Sequence, residues 1–105
     1  MQLVSKSCTE DYGELLCENI TSEYDLPRAA PVGIHTVCIQ GNDKIEKLES
    51  SPFRSVSWEN VTELYLRNFL VLESINKDFL AGLKGLKLLS ISSCQYLKEI
   101  PEELL

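Results

Sequence analysis

The sequence predicts an α/β solenoid, in which short parallel strands alternate with short helical or 3-10 return segments. Three observations carry this. An apolar pattern is written three times: Ile34, Val37 and Ile39 lead to Asn42, Ile45 and Leu48; Val61, Leu64 and Leu66 lead to Phe69, Leu72 and Ile75; Leu86, Leu89 and Ile91 lead to Cys94, Leu97 and Ile100. The register advances by 61 − 34 = 27 residues and then by 86 − 61 = 25, inside the roughly 20–29 residue period of repeats that join one strand to one short helical turn. Each block also opens with alternation of period two, the mark of a strand with one buried and one solvated face.

The elements follow in chain order. Residues 1–33 are acidic, lack the repeat pattern and close on Leu26-Pro27 and Pro31-Val32-Gly33, where Pro and Gly interrupt regular structure. They are expected to cap the first repeat, because a stack of repeats has an apolar end that must be covered. The repeats then occupy residues 34–60, 61–85 and 86–105, with strands over 34–39, 61–66 and 86–91. Those strands must be parallel, since each is reached by a crossover rather than a hairpin. Ser51-Pro52 supplies an N-cap and a first-turn proline for one return helix. Asn76 can cap a second over 77–83, with Phe79 and Leu83 on one face, and Pro101 opens a third with Glu102 and Glu103 at its positive end.

The pattern assigns the core to Ile34, Val37, Ile39, Ile45, Leu48, Phe53, Val56, Val61, Leu64, Leu66, Leu72, Ile75, Phe79, Leu83, Leu86, Leu89, Ile91, Leu97, Ile100 and Leu104. Trp58 is expected to fill the gap between the first return segment and the second strand. The last repeat stops at Glu103-Leu104-Leu105 with no polar terminal unit. Its outward side would expose aliphatics worth ~1.5–3 kcal/mol each when buried. Further repeats beyond Leu105 are therefore expected, with self-association through the uncapped end otherwise.

Length and charge narrow the function. The 105 residues hold one domain. A net charge of −6 with scattered Lys and Arg argues against nucleic acid or an anionic membrane as partner. No run approaches the roughly 20 apolar residues that span a bilayer, so no membrane insertion is expected from this segment. The start is not expected to act as a signal peptide, since after Met1 only Leu3 and Val4 precede Lys6. The chain reads as cytosolic, or as a mature or truncated secreted protein.

The four cysteines divide into two kinds. Ser5 to Glu10 and Leu15 to Ile20 can form a hairpin around Gly13, bringing Cys8 and Cys17 together in a disulfide. Cys38 and Cys94 would lie on strands two steps apart, roughly 10 Å at ~4.8 Å per step, beyond the ~7 Å Cα limit for a bridge. They are expected as free thiols. Four reduced, buried cysteines in a cytosolic protein is the alternative. Two acceptor triplets, Asn19-Ile20-Thr21 and Asn60-Val61-Thr62, make Asn19 and Asn60 candidate glycosylation sites; with the paired cysteines they favour an extracellular history.

Catalytic chemistry finds little support. His35 is the single histidine, with no Cys or carboxylate at metal-ligand spacing, and Ser90, Ser92 and Ser93 lie two strands away from it. It reads as a surface histidine. No glycine-rich loop follows a strand to cradle phosphate. No catalytic residue, metal or cofactor is expected. The solvated sides of the strands remain: Thr36, Cys38 and Gln40; Glu63, Tyr65 and Arg67; Leu88, Ser90 and Ser92. The middle row is the strongest candidate for contacting a protein, because Tyr and Arg are enriched in binding hot spots.

The segment Leu86-x-x-Leu89-x-Ile91-x-x-Cys94-x-x-Leu97-x-x-Ile100-Pro101 resembles the extracellular leucine-rich-repeat family, as in Toll-like receptor ectodomains and related secreted proteins. Cys8 to Cys17 followed by Leu26-Pro27 looks like a two-cysteine version of that family's N-terminal cap. Phe69 departs from the Asn or Cys usual at its slot, which Asn42 and Cys94 fit. The resemblance implies that the strands line a concave face, and that the slot residues hydrogen-bond the backbone between neighbouring repeats. It implies a non-catalytic recognition module: the N-terminal part of a secreted or cell-surface protein, of the innate-immune or signalling-receptor kind. An intracellular leucine-rich-repeat adaptor or substrate-recognition subunit is the alternative.

Overall fold

The computed structural model describes residues 2–22, 25–98 and 100. Its strands are β1 (Gln2–Leu3), β2 (Cys8–Asp11), β3 (Glu14–Cys17), β4 (Thr36–Gln40), β5 (Lys47–Leu48), β6 (Glu63–Arg67), β7 (Ser74–Ile75) and β8 (Leu88–Ser92). Six form one sheet in the order β1-β2-β3-β4-β6-β8, and β5 pairs with β7 in a second, two-stranded sheet. Strands β3, β4, β6 and β8 run parallel to one another. The result is a solenoid-like stack of about three turns.

The register repeats what the apolar spacing required. Thr36 pairs with Glu63, 27 residues on (63 − 36), and Glu63 pairs with Leu88, 25 residues on (88 − 63). Alternation then sorts the side chains. Leu15, Val37, Leu64 and Leu89 share one row, Cys17, Ile39, Leu66 and Ile91 another. The members of both rows on β3, β4 and β6 are buried. Ile45, Leu48, Leu72 and Ile75 close the core from the β5–β7 side.

At the N-terminal end, β2 and β3 form the expected hairpin. Its two-residue loop is Tyr12 (φ 49°) and Gly13 (φ 80°). A loop with positive φ at both positions matches the right-handed twist of the flanking strands. Cys8 and Cys17 face each other across it and are joined by a disulfide. Strand β3 then pairs in parallel with β4, so the hairpin extends the sheet of the repeats. In the crossover that follows, the Asp25 carboxylate accepts from Thr21 N–H (2.9 Å), Thr21 Oγ (3.1 Å) and Ser22 N–H (3.2 Å).

The return segments depart from the expected α/β class. The described residues are mostly strand and turn and contain no α-helix. Ser51-Pro52 does not start a helix. Ser51 Oγ bonds the Ala81 carbonyl and accepts from Phe53 N–H (3.2 Å), which ties this stretch, bent at Ser50 and Pro52, to the next turn. A 3-10 turn begins later, over Val56–Asn60, with Ser55 Oγ accepting from Ser57 N–H (3.3 Å). Residues 77–83 form successive three-residue turns; Asn76 Oδ1 does accept from Asp78 N–H (2.8 Å). They cannot propagate as a helix because Gly82 adopts φ +100°, tight against the Phe53 carbonyl. Phe79 and Leu83 nevertheless face the core as expected.

Most core assignments hold, and the exceptions have local causes. Val56 is 77% exposed, since the 3-10 turn directs Trp58 inward instead. Trp58 is fully buried, edge-on to Phe53 at 5.1 Å, and its Nε1–H donates to the Arg28 carbonyl (3.0 Å). Leu86, Leu89, Ile91 and Leu97 are half-buried and Ile100 is 53% exposed, because no further strand lies beside β8 among the described residues. Pro101 to Leu105, including Glu102, Glu103 and Leu104, lie outside the described residues.

Phe69 was not assigned to the core, yet it is buried. A side chain at Gly41 would meet its ring at 2.5 Å. Glycine leaves the space that an aromatic ring fills at the turn. Phe69→Ala should therefore cost about 3–5 kcal/mol, read from denaturant midpoints; an unchanged midpoint would refute the packing. Asp25 tests the crossover. Its carboxyl lies below the usual value, first through the Thr21 N–H, with further lowering by the Thr21 hydroxyl, Ser22 N–H and Lys6 against partial desolvation. A lowered folded pKa contributes stability that is complete above the ordinary aspartate value and lost as pH falls through the folded one. Between about pH 6 and pH 2, spanning the aspartate range, the midpoint of the parent should fall more steeply than that of Asp25→Asn. Parallel curves would exclude this carboxylate.

Candidate functional site

The open face of the main sheet presents the alternate strand positions in register. One row runs Asp11, Glu14, Thr36, Glu63 and Leu88; the next runs Thr9, Leu16, Cys38, Tyr65 and Ser90; Gln40, Arg67 and Ser92 form a third. The face is therefore acidic along the Glu14–Glu63 margin, aromatic at Tyr65 and cationic at Arg67.

The middle strand brings three side chains into one unit. Tyr65 Oη donates to Glu63 Oε1 at 2.8 Å. The Arg67 guanidinium carbon lies 5.2 Å from the centroid of the Tyr65 ring, within the ≈ 6 Å reach of a cation–π contact. The ring is thus held from both sides. The Glu63 hydrogen bond, aided by slight desolvation and the charge of Glu63, raises the Tyr65 hydroxyl above its ordinary pKa. It remains a neutral donor at physiological pH. The arrangement can offer a flat apolar ring flanked by an acceptor and a bidentate donor, which suits a protein surface.

The other expected contact residues are placed unequally. Gln40 and Ser90 are partly exposed, Ser92 is exposed, and Leu88 is 42% exposed. Thr36 is only 8% exposed; its hydroxyl shares a hydrogen bond with His35 Nδ1 (2.8 Å), and Glu14 and Glu63 flank it in the register. Cys38 is 2% exposed between Leu16 and Tyr65. Burial pushes its thiol pKa up, with Glu14 adding to the shift and Arg67 and a Gln40 hydrogen bond opposing it. The shielding comes partly from the cap: Leu16 belongs to the hairpin, whose register with β4 no repeat pattern specifies.

The slot residues do not form a uniform ladder. Asn42 Oδ1 accepts from Lys44 N–H within its own turn (2.8 Å), while its carbonyl accepts from Leu70 N–H (3.1 Å). The Cys94 thiol donates to the Ser92 carbonyl (3.2 Å) and bonds the Phe69 backbone; burial raises its pKa. Both acceptor asparagines are exposed: Asn19 in a left-handed turn (φ 55°), Asn60 at the end of the 3-10 turn.

His35 is exposed and lies over Gly13, where a Cβ would meet Nε2 at 2.6 Å. No group of three potential metal ligands occurs among the described residues. No helix among them is long and apolar enough to cross a membrane. No protein-family model matches the chain, and neither the curated proteins nor the solved structures contain a match to it.

Thiol accessibility checks this geometry. Iodoacetamide without reductant should modify Cys94 first and Cys38 only on unfolding, giving two adducts by intact mass; reduction of the unfolded chain should raise this to four. Equal rates for Cys38 and Cys94 would mean the face is not closed over Cys38. Four adducts without reductant would remove the Cys8–Cys17 bridge.

Proposed function

We propose that this chain is a non-catalytic recognition module of the leucine-rich-repeat type, belonging to a secreted or cell-surface protein of the signalling-receptor kind. It binds another protein through the face centred on Glu63, Tyr65 and Arg67. The observation that carries the reading is the preorganised trio. Holding an aromatic ring and a guanidinium in place before contact reduces the ordering cost of binding, and these residue types dominate interface energetics. Gln40, Leu88, Ser90 and Ser92 surround the trio as a partly exposed rim.

The Cys8–Cys17 bridge fits an oxidising compartment, where such staples persist. It weighs against the intracellular adaptor, which would keep its thiols reduced. Exposure of Asn19 and Asn60 is compatible with glycan attachment there. Neither residue lies on the strand rows of the face, so glycans at these points would leave it clear.

The test is a binder selection from a library of displayed extracellular domains, followed by affinity measurement. Tyr65→Ala and Arg67→Ala should each weaken a selected binder by about 2 kcal/mol or more, the scale of a hot spot. Their melting temperatures should stay close to that of the parent, and Val32→Ala, on an exposed loop outside the strands of the face, should bind normally. Binders insensitive to both face substitutions would overturn the proposal.

A further inference from the structure

A second surface feature lies away from the strand rows, where the segment leading into the first repeat meets the first return segment. Leu26, Pro27, Arg28, Ser50, Ser51, Pro52 and Arg54 line a cavity of about 470 Å³. The chain has only three arginines, and two of them, Arg28 and Arg54, line this one cavity from separate segments. Each follows a proline closely, in Leu26-Pro27-Arg28 and in Ser51-Pro52-Phe53-Arg54. Among the described residues, no acidic side chain contributes to the lining.

Both walls are built in advance of any ligand. On one side, the Arg28 carbonyl accepts from Trp58 Nε1 (3.0 Å) and Ala30 N–H donates to Ser57 Oγ (2.9 Å). This pins the arginine's backbone to the fully buried indole. On the other, Phe53 is buried against Trp58 and Phe79, and Ser51 Oγ ties that wall to Phe53 and Ala81. Arg54 Nε donates to the Ser51 carbonyl (3.4 Å), which steadies the root of its guanidinium at the rim. Leu26, Pro27 and Pro52 supply apolar lining alongside the two exposed arginines.

We propose that this cavity binds a small organic anion: a carboxylate or phosphate group held by Arg28 and Arg54, carried on an apolar body that rests on Leu26, Pro27 and Pro52. The volume falls in the ≈ 300–1,000 Å³ range of small-ligand sites, which combine apolar lining with a few placed polar groups. Guanidinium groups bind planar and tetrahedral oxyanions through paired N–H donors. In a chain of net charge −6, long-range attraction of anions is absent, so recognition depends on these two forks at short range. The proposal is independent of the protein-binding face, because no cavity residue lies on the strands of the main sheet.

The experiment is a backbone-amide NMR titration of the whole chain with four probes. N-acetyl-leucine supplies a carboxylate on an apolar body and phenyl phosphate supplies a phosphate on one. N-acetyl-leucinamide and inorganic phosphate provide the body and the head alone. At least one of the first two should give saturable shifts at residues 26–28 and 50–54, at least about tenfold tighter than its matching control. Which of them binds more tightly identifies the head group. Arg28→Gln with Arg54→Gln should weaken that binding by about tenfold or more, with melting and Tyr65-dependent protein binding retained. Absence of saturable shifts at millimolar probe, equal binding of N-acetyl-leucinamide, or full binding by the double variant would each overturn the proposal. Loss of Tyr65-dependent binding alone would leave this cavity standing and remove the face.

Discussion

Parallel register is the constraint on which this molecule rests. Strands β3, β4, β6 and β8 exchange backbone hydrogen bonds only if the chain returns to the same level after each excursion. Those excursions vary in length, yet every one brings an aliphatic pair, Val37 and Ile39, Leu64 and Leu66, Leu89 and Ile91, to the same depth. Burial and hydrogen bonding therefore reinforce one another. A one-residue slip would move the entire set to the solvated side. The space behind the sheet is then filled by aromatics on the return segments. Phe53 touches both Trp58 and Phe79 edge-on, and Phe69 lies against Gly41.

The same constraint creates the exposed face. Once Leu64 and Leu66 are committed inward, Glu63, Tyr65 and Arg67 have nowhere to point but outward. Their mutual contacts form on a backbone already immobilised by β4 on one side and β8 on the other. Changes to this row should alter what the surface offers without disturbing the interior. Cys38 marks the limit of that separation. It occupies an outward position yet is sealed by its neighbours, so it behaves as part of the protein's interior.

The parallel sense of the strands and the inward aliphatics were legible because period two and a period near 25 residues are written directly in residue type; the strands themselves begin two residues later than expected, at Thr36, Glu63 and Leu88. The Cys8–Cys17 hairpin was legible from Gly13 at the turn. The return segments were less so. Asn76, Ser51 and Pro52 carry helix-start chemistry, but Gly82 and the pinned Ser51 impose turns and bends through contacts distant in sequence. Phe69 was read as an irregular slot residue; Gly41, whose missing side chain makes room for the ring, was the available clue. Arg28 and Arg54 share no motif that places them together. Their meeting depends on how the crossover after β3 folds against Trp58, which no local pattern encodes.

The two margins of the main sheet are unlike. At one, the two-residue β1 runs antiparallel to β2, behind a disulfide-tied hairpin. At the other, β8 carries five residues and half-buried Leu89 and Ile91, with no strand beside it among the described residues. A short, reversed border gives an incoming strand little to template on, whereas a longer one continues the pattern. Any strand added to this sheet would therefore be recruited with a polarity, growing from the β8 margin and halted at the hairpin.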